Sequence, residues 1–356
     1  GATHYFRVAA YNAGGESFPS ETVGIRLTLD GSRPEVLIVS GFRRYDKDIS
    51  PTYTDSFNGT SYRVWPWLIN SFNYAPVHGK AVADAGFYFE TAACERVADS
   101  SVKLADYLAV IWILGQESTA DETFSAAEQA IVATYLFGGG RIFVSGSDLG
   151  QDLELWASAT AQDKNFLNNV LQAKAANNNA SSTRIVNCAA AGIFFGLPQL
   201  NFSADYDNGY YNTLSPDSFT GVGAGALIAM TYADTGQGAC IQYHDSAKRT
   251  IVMGFPFEMI RGETARADVM DRILKFLFEE PIPTPTPSPT PDPNAQYLVE
   301  DFEPYEDGSA AMFRYPHYSG TTKGINDETD TANVTIEEKN DILDPNAGSV
   351  GVQSYR

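Results

Sequence analysis

The sequence predicts a multidomain protein: a central α/β domain with a doubly wound, mostly parallel sheet, flanked by partial all-β sandwich modules. Apolar strand patterns alternate with helical patterns from residue 34 to 278, as expected for a doubly wound sheet. Residues 1–27 alternate like a β-hairpin, and the proline-rich residues after 280 favour an extended linker. The predicted boundaries are 1–30, 31–280, 281–295 and 296–356.

The first module is a strand, a turn and a second strand. Its residues follow the pattern Tyr5-x-Arg7-Val8-x-Ala10-x-Asn12, then Gly14-Gly15-x-Ser17. This pattern closely resembles the last two strands of a fibronectin type III domain. The resemblance implies that Tyr5 is the corner tyrosine of the sandwich and that the module is a spacer. The five earlier strands of that family have no counterpart, so we expect a fragment cut inside such a domain.

The central domain begins with an apolar strand at Val36–Val39. The run at Tyr107–Leu114 predicts a strand buried on both faces, and Phe124–Phe137 predicts a helix with Ser125 and Glu128 at capping-box spacing. Later strands and helices are expected at 142–144, 164–171, 226–231, 239–243, 250–254 and 265–278. The polar stretch 172–221 is too long for a plain connection and predicts an inserted surface excursion.

The most informative stretch is Gly138–Leu153, in which a glycine-rich approach leads into a short apolar strand and a turn of small residues. A strand that ends in this way delivers side chains to the carboxyl edge of a parallel sheet, where ligands bind. Ser147 is the candidate nucleophile in this turn. It lacks the glycines two residues away on either side that a Gly-x-Ser-x-Gly elbow requires, since Ser145 and Leu149 stand there.

Residues 34–278 resemble the class I glutamine amidotransferase-like domains, which have a flavodoxin-like sheet. That family carries Gly-x-Cys-x-Gly followed by Gln at this turn, and the chain has Gly146–Gln151 without a cysteine. The family also has a histidine and a glutamate after a late strand. Here the segment Gly254–Glu258 keeps the glycine and the glutamate but lacks the histidine. Without the thiolate and its base, the resemblance implies the fold and not ammonia transfer.

Other candidate residues each have two interpretations. His244 could serve Ser147 as a base, with Glu258 as a third group, although a solvated loop histidine is favoured; Glu258 could instead bond backbone amides near the turn. Glu117 and Asp148 are expected on neighbouring loops of one sheet edge. There they could bind sugar or a cation or perform acid/base work, although helix capping and solvation are favoured.

The remaining candidates are aromatic or sulfur-containing. Trp65 and Trp67 are suited to stacking on sugar rings, although core packing is commoner. His78 is expected to be exposed at a helix start. Cys94, Cys188 and Cys240 lack metal-ligand spacing, and both one disulfide and three buried thiols remain open. We expect no metal and no cofactor; the acidic run 326–330 lacks the regular spacing of a calcium loop.

The formal net charge of −20 argues against nucleic acid and anionic membranes as partners, because both attract basic surfaces. No apolar run approaches the roughly 18 residues of a membrane helix, so no membrane span is expected. No signal peptide is visible, but Gly1 stands inside a predicted strand, so we expect the true beginning of the protein to be missing.

The run Pro281–Pro293 resembles the Pro-Thr linkers of secreted bacterial polysaccharide-active proteins. The segments 297–303 and 312–320 resemble the start of carbohydrate-binding-like β-sandwiches. These resemblances imply a secreted or cell-surface bacterial protein, of the kind labelled polysaccharide (xanthan) lyase or N-acetylmuramoyl-alanine amidase. The first hypothesis is a non-catalytic accessory segment that binds polysaccharide or cell-wall glycan or positions modules. The alternatives are a hydrolase using Ser147 and sheet-edge carboxylates, and a structural spacer or oligomerisation segment.

Overall fold

The computed structural model describes residues 2–17, 20–42, 52–54, 57–59, 61–63, 74–117, 122–205 and 208–279. All of them belong to the first of two compact units, Gly1–Thr286. Trp65, Trp67, the predicted linker, the acidic run 326–330 and the predicted carboxyl-terminal sandwich lie outside the described residues.

The strands are numbered in chain order. They are β1 (Thr3–Phe6), β2 (Tyr11–Asn12), β3 (Gly15–Glu16), β4 (Val23–Arg26), β5 (Val36–Ser40), β6 (Thr52–Thr54), β7 (Ser61–Arg63), β8 (Phe89–Ala93), β9 (Ala109–Gln116), β10 (Arg141–Ser147), β11 (Ala173–Asn177), β12 (Ile185–Cys188), β13 (Leu200–Asn201), β14 (Ser218–Gly221), β15 (Ala226–Tyr232), β16 (Gly238–His244) and β17 (Arg249–Met253). The helices are α1 (Tyr74–Asp84), α2 (Cys94–Ala98), α3 (Ala126–Phe137), α4 (Ala161–Asn165) and α5 (Glu263–Phe278). Short 3-10 turns lie at Leu104–Asp106 and Phe257–Met259, and π-helical turns at Gln151–Leu155 and Phe166–Val170.

The protein has an α/β fold with one large mixed sheet of 11 strands in the order β1-β4-β8-β5-β9-β10-β17-β16-β15-β12-β13. The strands β8, β5, β9, β10 and β17 are parallel to one another, whereas the pairs outside this block are antiparallel. The prediction of a mostly parallel sheet is therefore corrected to a parallel centre with antiparallel flanks. Residues 233–237 and 245–248 are the connections between β15, β16 and β17, and such short links cannot make the crossover that parallel pairing requires.

Two apolar layers cover the two faces of the sheet. Val36 and Ile38 belong to the layer that includes α1 and α5, and Leu37 and Val39 to the layer that includes α3 and residues 166–171. Alternate residues of a strand point to opposite faces, so a strand buried on both sides is apolar throughout. The capping box predicted for α3 is present: the Ser125 amide donates to Glu128 at 2.8 Å, and Ser125 Oγ accepts from the Glu128 amide.

The amino-terminal strands extend the large sheet. β1 pairs with β4, and β4 pairs with β8 through Ile25 and Glu90. The hydroxyl of Tyr5 donates to the carbonyl of Pro76 at 3.4 Å, and its ring lies 6.3 Å from that of Phe89. Tyr5 thus braces α1 and β8. The assignment of residues 1–30 to a separate fibronectin type III module stays a prediction.

The stretch 172–221 is more than a surface excursion. β11 pairs with β14, whereas β12 and β13 continue the large sheet at its edge. Four of its aromatic side chains are fully buried: Phe194, Phe202, Tyr211 and Phe219. These aromatic residues follow no helical or strand period, so the sequence pattern of this polar stretch did not predict their burial. The insertion therefore forms part of the core.

The three cysteines are free thiols. Cys188 and Cys240 both pair with Met230, one on each side, so two strand spacings separate them. That places their Cα atoms about 9.5 Å apart, beyond the roughly 7 Å that a disulfide can bridge. Of the two alternatives left open by the sequence, the structure has no disulfide: Cys94 and Cys240 are buried thiols, and Cys188 is a half-buried one.

Candidate functional site

The parallel strands β5, β9, β10 and β17 bring their carboxyl ends to one edge of the sheet. β9 carries a bulge here, because its register against β10 shifts between Ser145 and Gly146. Gly115 lies in the bulge with a φ of 58°, a left-handed conformation that glycine adopts without strain. The bulge re-aims the end of β9 and places Gln116 opposite Ser147. This edge is where open α/β sheets bind ligands.

The sharp turn after β10, residues Gly146–Gly150, is called the elbow. Asp148 is at its apex with a φ of 65°, which is a strained conformation for a residue other than glycine. A Cβ on Gly146 would lie 2.6 Å from the Leu114 Cβ, and one on Gly150 would lie 2.9 Å from Phe219. Both glycines are thus required by close packing. The apex residue of Gly-x-Asp-x-Gly is Asp148, one position after the predicted nucleophile.

Ser147 is the last residue of β10 and is fully buried. Its Oγ has no hydrogen-bond partner among the described residues. His244 pairs with Arg249, which also pairs with Arg141, so His244 lies at the opposite end of β10. β10 has seven residues and spans about 20 Å. The structure therefore does not bring Ser147 and His244 together, because β16 runs antiparallel to β17.

Glu117 and Asp148 follow Gln116 and Ser147, which are paired across β9 and β10. The two carboxylates thus come directly after adjacent strand ends, at one edge. Glu117 is fully buried and Asp148 is partly exposed.

A segment of the insertion, Tyr211–Asp217, lies across this edge and is called the strap. The amide of Leu214 donates to Oε1 of Gln116 at 2.6 Å, and the amide of Asp217 donates to the carbonyl of Gly254 at 2.8 Å. Nε of Arg184 donates to the carbonyl of Thr213 at 2.8 Å. These bonds fasten the strap to the end of β9, to Gly254 after β17 and to Arg184 before β12. The edge that would form a ligand crevice is covered by the chain itself.

Asp217 reaches from the strap into the elbow. Its Oδ2 accepts a 2.8 Å hydrogen bond from the amide of Gly150. Burial raises the pKa of Asp217 well above its usual range, opposed by backbone hydrogen bonds from Gly150 and Gln151, whereas Asp148 and Asp152 raise it further. Burial thus favours the protonated, uncharged form of Asp217.

Glu258 lies in the turn after β17 and is fully enclosed. The hydroxyl of Tyr211 donates to its Oε1 at 3.1 Å, and its Oε2 lies 3.8 Å from Nε2 of His78. Nδ1 of His78 is 3.0 Å from the carbonyl of Tyr74. Burial raises the pKa of Glu258 to about 7 and lowers that of His78 to about 3. His78 is therefore a buried neutral histidine, and the prediction of an exposed helix-start residue is wrong: α1 turns this side chain toward the sheet.

Sequence reasoning missed three of these residues: Asp217, Tyr211 and His78. The signal for Tyr211 and Asp217 was weak, because a tyrosine and an aspartate in a polar, Asn-rich stretch are typical of exposed loops. In the sequence, His78 was distinguished only as a polar residue among the small residues of α1. Its partner, Glu258, is 180 positions away in sequence and meets it only in the folded chain.

The fold was compared with known proteins. No protein-family model and no curated protein matches this chain. Its structural neighbours include a glutamine amidotransferase from Thermotoga maritima, with a TM-score of 0.41 and 10% identity over 70% of this chain and 100% of that one. They also include the β-galactosidase from Rahnella sp. R3, with a TM-score of 0.43 and 14% identity over 72% of this chain and 32% of that one.

A third neighbour is the exo-β-1,4-mannosidase Op5Man5 from Opitutaceae bacterium strain TAV5, with a TM-score of 0.39 and 12% identity over 69% of this chain. This chain spans 32% of the length of the galactosidase and 35% of that of the mannosidase.

Three further features of the described residues concern metal ions, a cavity and membrane spans. No group of three or more His, Cys, Asp or Glu side chains in that part of the chain is arranged to hold a metal ion. A cavity of about 510 Å³ lies at the opposite edge of the sheet, lined by residues that include Leu104, Tyr135 and Arg141. None of the candidate residues from the sequence lines it. Within the same described ranges, no helix is long and apolar enough to cross a membrane.

Proposed function

We propose that this chain is a non-catalytic accessory segment of a secreted or cell-surface bacterial protein that acts on polysaccharide or cell wall. In this proposal, its α/β domain positions the neighbouring modules. One observation carries the proposal: the strap covers the carboxyl edge of the sheet, and Asp217 binds the elbow where a substrate would have to approach. A domain that fills its own crevice is suited to holding other modules in place.

The elbow chemistry supports the same conclusion. A nucleophile needs a base within hydrogen-bond reach, which is about 3 Å. His244 lies at the other end of β10, and Nδ1 of His78 is already bonded to the carbonyl of Tyr74. The hydrolase alternative through Ser147 therefore has no support in this geometry.

The test of the catalytic part uses the full chain and three substrates: glutamine, an activated ester and a soluble polysaccharide. We expect no turnover above the buffer rate. The variants Ser147→Ala and Asp148→Asn serve as matched controls. Turnover by the wild type that either variant abolishes would contradict a non-catalytic role.

The partner is tested separately. We expect the chain to co-sediment with insoluble cell-wall glycan, and the double variant Trp65→Ala/Trp67→Ala to lose this binding. Trp156→Ala is the control, since Trp156 is exposed at 46% and lies after the elbow, away from those tryptophans in sequence. If the wild type does not bind glycan or soluble xanthan, the role reduces to module positioning.

A further inference from the structure

The proton on His78 can be placed from its hydrogen-bond partners. Nδ1 lies 3.0 Å from the carbonyl of Tyr74, and a carbonyl only accepts, so Nδ1 carries a proton. Burial, helped by the positive charge of Arg266, lowers the pKa of His78 to about 3. The ring is therefore neutral, and its Nε2 has a lone pair and no proton.

Nε2 lies 3.8 Å from Oε2 of Glu258, and neither atom has a hydrogen-bond partner among the described residues. The other carboxyl oxygen, Oε1, accepts from Tyr211. If Glu258 were ionised, two acceptors would face each other without a proton between them, at a buried site. A proton on Oε2 removes this conflict, because it makes Glu258 a donor toward Nε2.

We propose that Tyr211, Glu258, His78 and the Tyr74 carbonyl form a neutral relay that locks the strap in acid, and that ionisation of Glu258 loosens it. In the relay the Tyr211 hydroxyl donates to Glu258 and Nδ1 of His78 donates to the Tyr74 carbonyl, and a proton on Oε2 of Glu258 lies between these two bonds, toward Nε2 at 3.8 Å. No net charge is buried while the proton remains on Glu258. Loss of that proton leaves a buried carboxylate that needs water.

The groups around Glu258 support this assignment. They are Tyr211 from the strap, His78 and Tyr74 from α1, and Arg266 from α5. Burial is the largest effect and raises the pKa of Glu258 to about 7, whereas its own backbone amide, the Tyr211 hydroxyl and the Arg266 charge lower it. Glu258 thus titrates within the range of ordinary extracellular conditions.

The strap is the segment that moves when Glu258 ionises. Three segments meet at Glu258: α1, the turn Phe257–Met259 and the strap. The strap has no regular secondary structure, and its residues Asn212 and Leu214 are exposed. Segments without regular secondary structure open at a lower free-energy cost than the strands and helices of the core. Water therefore reaches an ionised Glu258 by displacement of the strap.

The experiment is hydrogen exchange of the backbone amides at positions 214 and 217, which bond to Gln116 and Gly254. It is done in the Asp217→Asn background, because Asp217 titrates in the same direction. After correction for intrinsic exchange, strap opening should rise by up to about tenfold per pH unit, from about pH 4.5 until it levels near pH 7. The added variant Glu258→Gln should abolish the rise, since glutamine donates to Nε2 and accepts from Tyr211 at every pH.

A second measurement does not depend on that variant folding. Infrared spectroscopy of the wild type should show a protonated buried carboxyl band at acid pH that disappears as pH rises through about 7. Strap exchange that is independent of pH after correction would overturn the proposal. So would a pH-dependent rise in opening that the glutamine variant retains.

Discussion

The hydroxyl of Tyr211 donates a hydrogen bond of 3.1 Å to Oε1 of Glu258, and this contact joins the strap to the turn after β17. Both side chains are fully enclosed. Six residues further on, Asp217 binds the elbow through the amide of Gly150. The strap is thus held at both ends by hydrogen bonds to buried acids, and burial raises the pKa of both acids.

Asp217 is expected to act as a neutral hydrogen-bonding group. Asp217→Ala removes the acceptor of the Gly150 amide and leaves a cavity, so we expect a loss of about 2–4 kcal/mol in the free energy of unfolding. Asp217→Asn keeps the shape and the acceptor and should cost less than about 1 kcal/mol at neutral pH. Urea unfolding measures both, with the exposed Asp268→Ala as the control. A large loss in the asparagine variant would show that Asp217 is ionised.

The apex of the elbow stores backbone strain. Asp148→Ala and Asp148→Gly both remove the carboxylate and differ only in the freedom of the backbone. Because the φ at this position is 65°, the glycine variant should be more stable than the alanine variant by about 1–2 kcal/mol. Thermal unfolding of the pair tests this. Equal stabilities would mean that the turn relaxes when the side chain is lost.

Gly254 permits the strap to approach the end of β17. A Cβ at this position would lie 2.1 Å from the carbonyl oxygen of Asp217. We expect Gly254→Ala to push the strap off the edge and to lower the free energy of unfolding by more than about 2 kcal/mol. Protease sensitivity at residues 211–217 is the readout. Gly14→Ala is the control, since its Cβ would meet only the side-chain oxygen of Asn12, an exposed residue.

The stability of the folded chain should fall as pH rises. The folded-state pKa of Glu258, about 7, lies above its ordinary value of 4.5. Its contribution is therefore present in full below about pH 4.5 and is lost as pH rises through about 7. In urea unfolding at a series of pH values, the free energy of unfolding should fall as pH rises. The fall should be smaller in Glu258→Gln than in the wild type, by up to about 3 kcal/mol. A steeper fall in that variant would contradict the protonated state of Glu258.

Ser147 should be dispensable for stability. Its buried Oγ has no partner among the described residues, so Ser147→Ala removes an unsatisfied hydroxyl. We expect a change of less than about 1 kcal/mol, or a gain in stability. Ser125→Ala is the matched comparison, because it breaks the capping box of α3 and should cost about 1 kcal/mol. A large loss at Ser147 would indicate a buried hydrogen-bond partner.

Much of the central domain was predictable from local patterns. The continuous apolar run that became β9 and the capping box of α3 are encoded in consecutive residues. The pattern placed the elbow correctly at the end of β10, and the structure has Asp148 rather than Ser147 at its apex. Antiparallel pairing of β15, β16 and β17 was open to prediction from their short connections. The role of Trp65 and Trp67 in stacking on sugar rings remains a prediction.

The sequence by itself determined the α/β class and the position of the turn, because period, composition and glycine spacing are local properties. The tertiary structure alone decided that His244 and Ser147 lie at opposite ends of β10, and that His78 meets Glu258. It also decided that Asp217 covers the elbow. These relationships join residues distant in the sequence, and they arise from strand direction and from the burial of the strap, which no local pattern records.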